Sequence, residues 1–278
     1  MNAYIKPVFT EIGHRYDSSL GRYTSATTRI HSLEPEEDWD AIAQKYLDKR
    51  TYEEVILDLM TKQSKSRKDI LWMINERPLN VKTIQNIWKM YSEEACAKGS
   101  IEHAKREHSD LTTDLHEVRT GEYLSVGIDP KPITEYFKDL PDGVYPELLL
   151  WHNKSMTSGT ADRVIIETIG GERWVTIEDY KTNKEIKNYN YLDKRTGKPV
   201  INKYMLAPFE NLCNCNYWHY QIQLNIYGFM LSEFGFKIRG GSIIHTEDDD
   251  KRYELLNLQD QVAKAFKKWG NEIQSKSN

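Results

Sequence analysis

Residues 160 to 185 read TADRVIIETIGGERWVTIEDYKTNKE, two alternating apolar segments joined by Gly170-Gly171. Alternation at a period of two makes each segment a strand with one apolar face. The paired glycines supply the positive φ of a primed hairpin turn, so the two strands lie antiparallel. No other feature constrains the chain as much, because the turn also sets the register. With the turn centred between Gly170 and Gly171, Ile169 meets Glu172, and seven residues further along each strand Asp162 meets Asp179. A two-residue or four-residue loop keeps this pairing; a three-residue loop slips it.

Asp162, Val164 and Ile166 then share a face with Val175, Ile177, Asp179 and Lys181. That face is apolar apart from its end, where two aspartates stand opposite each other. Like charges directly opposed destabilise a sheet, and half-buried carboxylates need a counter-charge. Lys181 supplies part of it, and a divalent cation would supply the rest. Hard cations such as Mg²⁺ favour carboxylate oxygens, and a nearby lysine can hold a water or stabilise charge in phosphoryl chemistry. Glu178 falls on the other face, as a bystander. A charged, solvated hairpin end is the alternative reading of the same residues. The apolar company on the aspartates' own face weighs against it.

The chain has 278 residues, 39% hydrophobic and 29% charged, enough to bury a sizeable core. No run reaches the length of a membrane span, and MNAYIKPVFTEIGH lacks the layout of a signal peptide, so a soluble, cytoplasmic protein with no membrane partner is expected. Three cysteines, Cys96 and the C-x-C pair Cys213 and Cys215, argue against a disulfide framework and cannot build a four-thiolate site. The net charge of −4 is no overall signature for nucleic acid. A DNA or RNA partner therefore requires local positive charge and metal ions.

Residues 1–35 are polar and turn-rich. From Pro35 to about Asp110 the patterns are helical: PEEDWDAIAQKYLDKR sets Trp39, Ile42, Ala43, Tyr46 and Leu47 on one face. Gly99 is expected to interrupt this region, with SIEHAKREHSDL a further helix. Residues 111–142 read as loop. VYPELLLWH, DRVIIET and RWVTIEDYK follow as strands, then an excursion over 186–206, a helix in NYWHYQIQLNIYGFMLSEFG capped at Gly235, two more strands and a closing helix. This order predicts an α/β fold: a central mixed β-sheet flanked by helices, over 99–278, behind an N-terminal helical region, 1–98, packed on it.

A strand opening on aspartate, a turn, and a strand ending in D-x-K resembles the PD-(D/E)xK nuclease superfamily. Three further stretches are similar to its RecB-like exonuclease branch: GSIEHAKRE (Gly99–Glu107) with His103, GTADRV (Gly159–Val164), and QLNIY (Gln223–Tyr227). Order and spacing agree across roughly residues 99 to 230, and TSATTRI resembles the N-terminal segment of phage-type and mitochondrial genome maintenance-type members. The resemblance implies a restriction-endonuclease-like core. It implies that Asp162 and Asp179 ligate one or two Mg²⁺ or Mn²⁺ ions, with His103 and the Tyr180 carbonyl completing the shell. Lys181 positions the attacking water, Gln223 and Tyr227 support the site or contact DNA, and Glu147 is the acidic residue of the preceding strand.

The three cysteines depart from the branch that carries an iron–sulfur cluster, so no cluster and a stand-alone enzyme are expected. In the excursion, Lys184, Lys187, Lys194, Arg195, Lys198 and Lys203 are interleaved with Tyr189, Tyr191 and Tyr204. Lysines pair with phosphates and rings stack on bases, which makes this a flap for single-stranded DNA; a solvated hairpin is the alternative. The resulting expectation is a metal-dependent DNA exonuclease acting on ends or single strands in replication, recombination or repair. A single-strand-binding or recombination protein is its expected partner, and the host cytoplasm its location if phage-encoded. The alternatives are a structure-specific endonuclease of the same superfamily and a non-catalytic nucleic-acid-binding protein.

Overall fold

A computed structural model describes residues 5–10, 15–61, 67–76, 79–112 and 140–277. The stretch read as loop between 111 and 142 lies mostly outside the described residues. The chain divides into two compact units, residues 36–102 and residues 1–35 with 103–278.

The first unit is helical, with α2 (Trp39–Asp48), α3 (Tyr52–Thr61), α4 (Arg67–Glu76) and the first part of α5 (Val81–Thr112). Asp38 caps α2 by accepting from the Ala41 N–H at 2.9 Å. Thr51 and Glu54 form a reciprocal capping box at the start of α3. Ala43, Val55, Leu59, Ile70, Ile84 and Ile87 make the core of this unit. Trp39, expected on the buried face, is the first residue of α2 and lies exposed. Gly99 does not interrupt the helix. α5 runs unbroken through it, since one interior glycine costs only about 1 kcal/mol against alanine and strong helix formers flank it on both sides.

The second unit is α/β, with a central mixed sheet flanked by helices. Residues 1–35, read as turns, contribute β1 (Val8–Thr10), β2 (Arg15–Ser18), β3 (Gly21–Ser25) and the short α1 (Ala26–His31). The boundary expected between 98 and 99 therefore falls after 102, and the N-terminal strands belong with the sheet. The other strands are β4 (Gly143–His152), β5 (Thr157–Ile169), β6 (Glu172–Lys181), β9 (Lys237–His245) and β10 (Lys251–Glu254). β7 (Tyr191–Leu192) and β8 (Pro199–Val200) make a separate small hairpin within the excursion. Strand order is β1-β2-β3-β5-β6-β9-β10, with β4 also on β5.

The β5–β6 hairpin has the expected register. Gly170 and Gly171 sit at φ 60° and 80°, Ile169 pairs with Glu172, and the ladder runs to Arg163 opposite Glu178. Val164, Ile166, Val175 and Ile177 are all buried, as the alternation requires. On the opposite face Glu178 is buried too, clamped between Arg163 and Arg252.

β5 has an unusual set of partners. One edge pairs with β4 along most of its length; the other pairs with β6 from Arg163 onward and with β3 only at Thr157 and Ser158. Residues 159–162 thus form a fork, where that edge passes from β6 to β3. The β4 side is interrupted at the same level. Pro146 pairs with Arg163 and Leu148 with Ala161, while Glu147 between them takes φ 48° and leaves the ladder. Openings of this kind in a sheet are where ligand sites form.

Helix α6 (Asn216–Ser232) is buried on most sides; its C-cap is Glu233, and Gly235, expected as the cap, lies just beyond it at φ 87°. Gln221 and Asn225, one turn apart, bond the backbone of residues 254–258 through their amides, so α6 serves that connection as a strand would. The closing helix α7 (Gln259–Ser277) buries Val262, Ala265, Phe266 and Trp269 at helical spacing. Among the described residues no helix is long and apolar enough to cross a membrane.

Candidate metal centre

Carrying the hairpin register one residue beyond Arg163 and Glu178 brings Asp162 to Asp179. Asp162 does not continue the ladder; its Oδ2 instead accepts from the Tyr180 N–H at 2.8 Å. Asp179 is 1% exposed, and its Oδ1 has no hydrogen-bond partner among the described residues. Lys181 Nζ stands 2.6 Å from Asp179 Oδ2 in a close ion pair. Burial first, and then the charge of Asp179, push the Asp162 carboxyl up to about 7, against the pull of His103, Lys181 and the Tyr180 N–H. Burial would lower the Lys181 ammonium, but Asp179 and Asp162 outweigh it and hold it above the ordinary lysine value.

The last turns of α5 bring His103 to this corner. Its Nε2 lies 2.9 Å from the Tyr180 carbonyl, which can only accept, so Nε2 carries the proton. Nδ1 faces Asp162 Oδ1, 3.5 Å away. A proton on Nδ1 would pair with that carboxylate, and with Nδ1 deprotonated both atoms could serve one cation. Arg106, one turn on, ties the helix down through a bidentate pair with Asp250 at 2.8 and 2.9 Å and lies over the Tyr180 ring. Glu147 arrives from β4, and ligand atoms of His103, Glu147 and Asp162 lie within 4.8 Å of one another. The left-handed backbone at Glu147 turns this carboxylate out of strand alternation, a conformation that costs a non-glycine residue on the order of 1 kcal/mol.

α6 closes the other side. Gln223 Oε1 accepts from Lys181 Nζ at 3.2 Å, and Gln223 Nε2 donates to the Tyr227 hydroxyl at 3.0 Å. Tyr227 fits because Gly159 has no side chain; a Cβ there would lie 2.8 Å from Tyr227 Cε1. The glycine of GTADRV and the tyrosine of QLNIY are thus two sides of one contact.

The structure therefore brings together Asp162, Asp179, Lys181, Glu147, His103, Tyr180, Gln223 and Tyr227. It leaves Lys184, Lys187 and Arg195 on the excursion. Lys184 and Arg195 are exposed, and Lys187 pairs with Glu185 at 3.1 Å. Sequence reasoning missed Tyr220, whose ring lies 4.7 Å from Lys181 Nζ. Its signal was available, since Tyr220, Gln223 and Tyr227 follow the i, i+3, i+7 spacing of one helix face.

The donor set of His103, Glu147 and Asp162, two carboxylates from β4 and β5 and one imidazole nitrogen, fits a hard divalent cation, with Asp179 buried beside it on β6. No family model matches the chain, and no curated protein matches it either.

Proposed function

We propose that the chain is a metal-dependent deoxyribonuclease with a PD-(D/E)xK-type centre on a restriction-endonuclease-like core. The observation that carries the reading is the meeting of Asp162, Asp179 and Lys181 at the β5 fork, with Asp179 buried and its Oδ1 lacking a hydrogen-bond partner among the described residues. Asp162, Asp179, Glu147 and His103 would hold Mg²⁺ or Mn²⁺. Bound there, such an ion polarises a scissile phosphate and acidifies a water. Lys181 keeps its proton through the neutral range, so its ammonium can orient a water or stabilise charge on the phosphate. Gln223 holds that ammonium from the other side, and Tyr227 holds Gln223.

DNA as substrate is supported by the excursion. Lys194, Arg195, Lys198 and Lys203 are exposed there beside Tyr191 and Tyr204, each about half exposed. Exonucleolytic action on ends in replication, recombination or repair follows from the family resemblance.

Alanine at Asp179 or at Lys181 is expected to abolish Mg²⁺-dependent degradation of end-labelled linear DNA while leaving the thermal transition cooperative. Full activity in both variants would overturn the assignment. Cleavage of covalently closed circles would identify an endonuclease, and DNA binding with no product in Mg²⁺ or Mn²⁺ a binding protein.

A further inference from the structure

We infer that Tyr220 and His245 are positioning residues for Lys181, forming a second layer that fixes where the ammonium sits. Lysine carries its charge on a flexible four-carbon stem, so two acceptors alone leave it mobile. Here the Tyr220 ring adds a third restraint, 4.7 Å below Nζ, opposite in chemistry to the Asp179 and Gln223 oxygens. The ring is itself tethered. The Tyr220 hydroxyl donates to Asn183 Oδ1, and the Asn183 carbonyl accepts from His245 Nε2 at 2.5 Å.

His245 ends β9 directly beside Lys181 in the parallel register. It is 3% exposed, and its Nδ1 has no hydrogen-bond partner among the described residues, with Asp248 Oδ2 3.8 Å away. The hydrogen bond to Asn183 is therefore what satisfies this buried ring. Thr246 adds two bonds to the Lys181 carbonyl, at 3.0 and 3.3 Å. The end of β9 thus pins the chain leaving β6 on both sides of residue 182. Through Asn183 and Tyr220 it reaches back to the ammonium.

The kinetic consequence rests on the nuclease reading; the positioning itself does not, and two measurements separate them. The first follows acylation of the Lys181 amine by an amine-selective reagent in metal-free protein, read by peptide mass spectrometry. Tyr220→Leu is expected to raise that rate about tenfold and His245→Leu by less, while Tyr220→Phe, which keeps the ring, stays closer to the parent. The second measures Mg²⁺-dependent cleavage, where Tyr220→Leu should lower kcat about tenfold with KM for DNA unchanged. His245→Gln, which retains a side-chain N–H donor, should recover most of what His245→Leu loses in both. Unchanged acylation in Tyr220→Leu, or His245→Gln no better than His245→Leu, would overturn the positioning role. The expected acylation differences between variants and parent, found with a parent that cleaves no DNA, would uphold it and sink the nuclease reading instead.

Discussion

Asp162→Asn tests the electrostatics of the centre without disturbing its shape. Asparagine is nearly isosteric and its amide oxygen can still accept from the Tyr180 N–H, so only the charge facing Asp179 is lost. The Asp162 carboxyl lies at about 7, raised from its ordinary 3.8. A group raised in the fold contributes stability that is fully present below its unfolded pKa and lost as pH rises through its folded one, here from about 4 to about 7. Roughly three units at about 1.4 kcal/mol each set a ceiling of about 4 kcal/mol on what ionising Asp162 costs the metal-free protein at pH 8. Asparagine never incurs that cost. In EDTA the variant should therefore melt above the parent at pH 8, by several degrees given roughly 2–4 °C per kcal/mol at this domain size, with the gap closing toward pH 4. With millimolar Mg²⁺ at pH 8 the order reverses: the parent gains stability by binding, the variant lacks a ligand, and nuclease activity disappears. Differential scanning fluorimetry across pH, with and without metal, reads all of this. A variant no more stable than the parent in EDTA at pH 8 would refute the account of two opposed buried charges.

Two further outcomes follow from the packing. Gly159→Ala places a methyl 2.8 Å from Tyr227 Cε1, so it should cost roughly 1–3 kcal/mol and reduce cleavage by disturbing the Tyr227–Gln223–Lys181 chain; an unchanged melting temperature would show that the ring yields freely. His152 is buried against the Phe266 ring, its Nδ1 accepts from the Ser155 N–H, and burial first and then Lys154 lower it from 6.5 to about 4. Its contribution is present above pH 6.5 and lost as pH falls toward 4, up to about 3 kcal/mol. Urea denaturation of His152→Leu against the parent should show the variant flatter in that window, and identical slopes would contradict it.

The centre was legible in the sequence wherever a short-range rule set it. A two-glycine turn fixes register, register opposes Asp162 to Asp179, and alternation places Lys181 with them. Glu147 was legible only as a carboxylate on the right strand. That it leaves the ladder at φ 48° is a property of the three-dimensional sheet, since the stretch YPELLL carries no mark of it. The N-terminal strands were missed because each is only three to five residues long, too short for alternation to register. Gly99 misled for the opposite reason: a local breaker signal was overridden by the helix formers around it. His245 was hidden because its role depends on which strand β9 pairs with, and parallel pairing across a long connection leaves no local pattern.

The fork in β5 explains why the charges can stand where they do. A carboxylate on the core face of a fully paired strand would sit among apolar neighbours with nothing to meet. At residues 159–162 one edge of β5 has left β6 and has not yet reached β3, and the opposite edge is broken by Glu147. Backbone groups and helix side chains can enter that opening: the Tyr180 N–H from β6, His103 from α5, Gln223 and Tyr227 from α6. Gly159 keeps it open by leaving room for the Tyr227 ring. Asp179 lies at the same level on β6, where the ladder to β5 has ended but the parallel pairing to β9 continues through Lys181. One side of β6 is therefore rigidly held while the other faces the opening. That asymmetry fixes the lysine's backbone and leaves its charge exposed to whatever enters beside the aspartates.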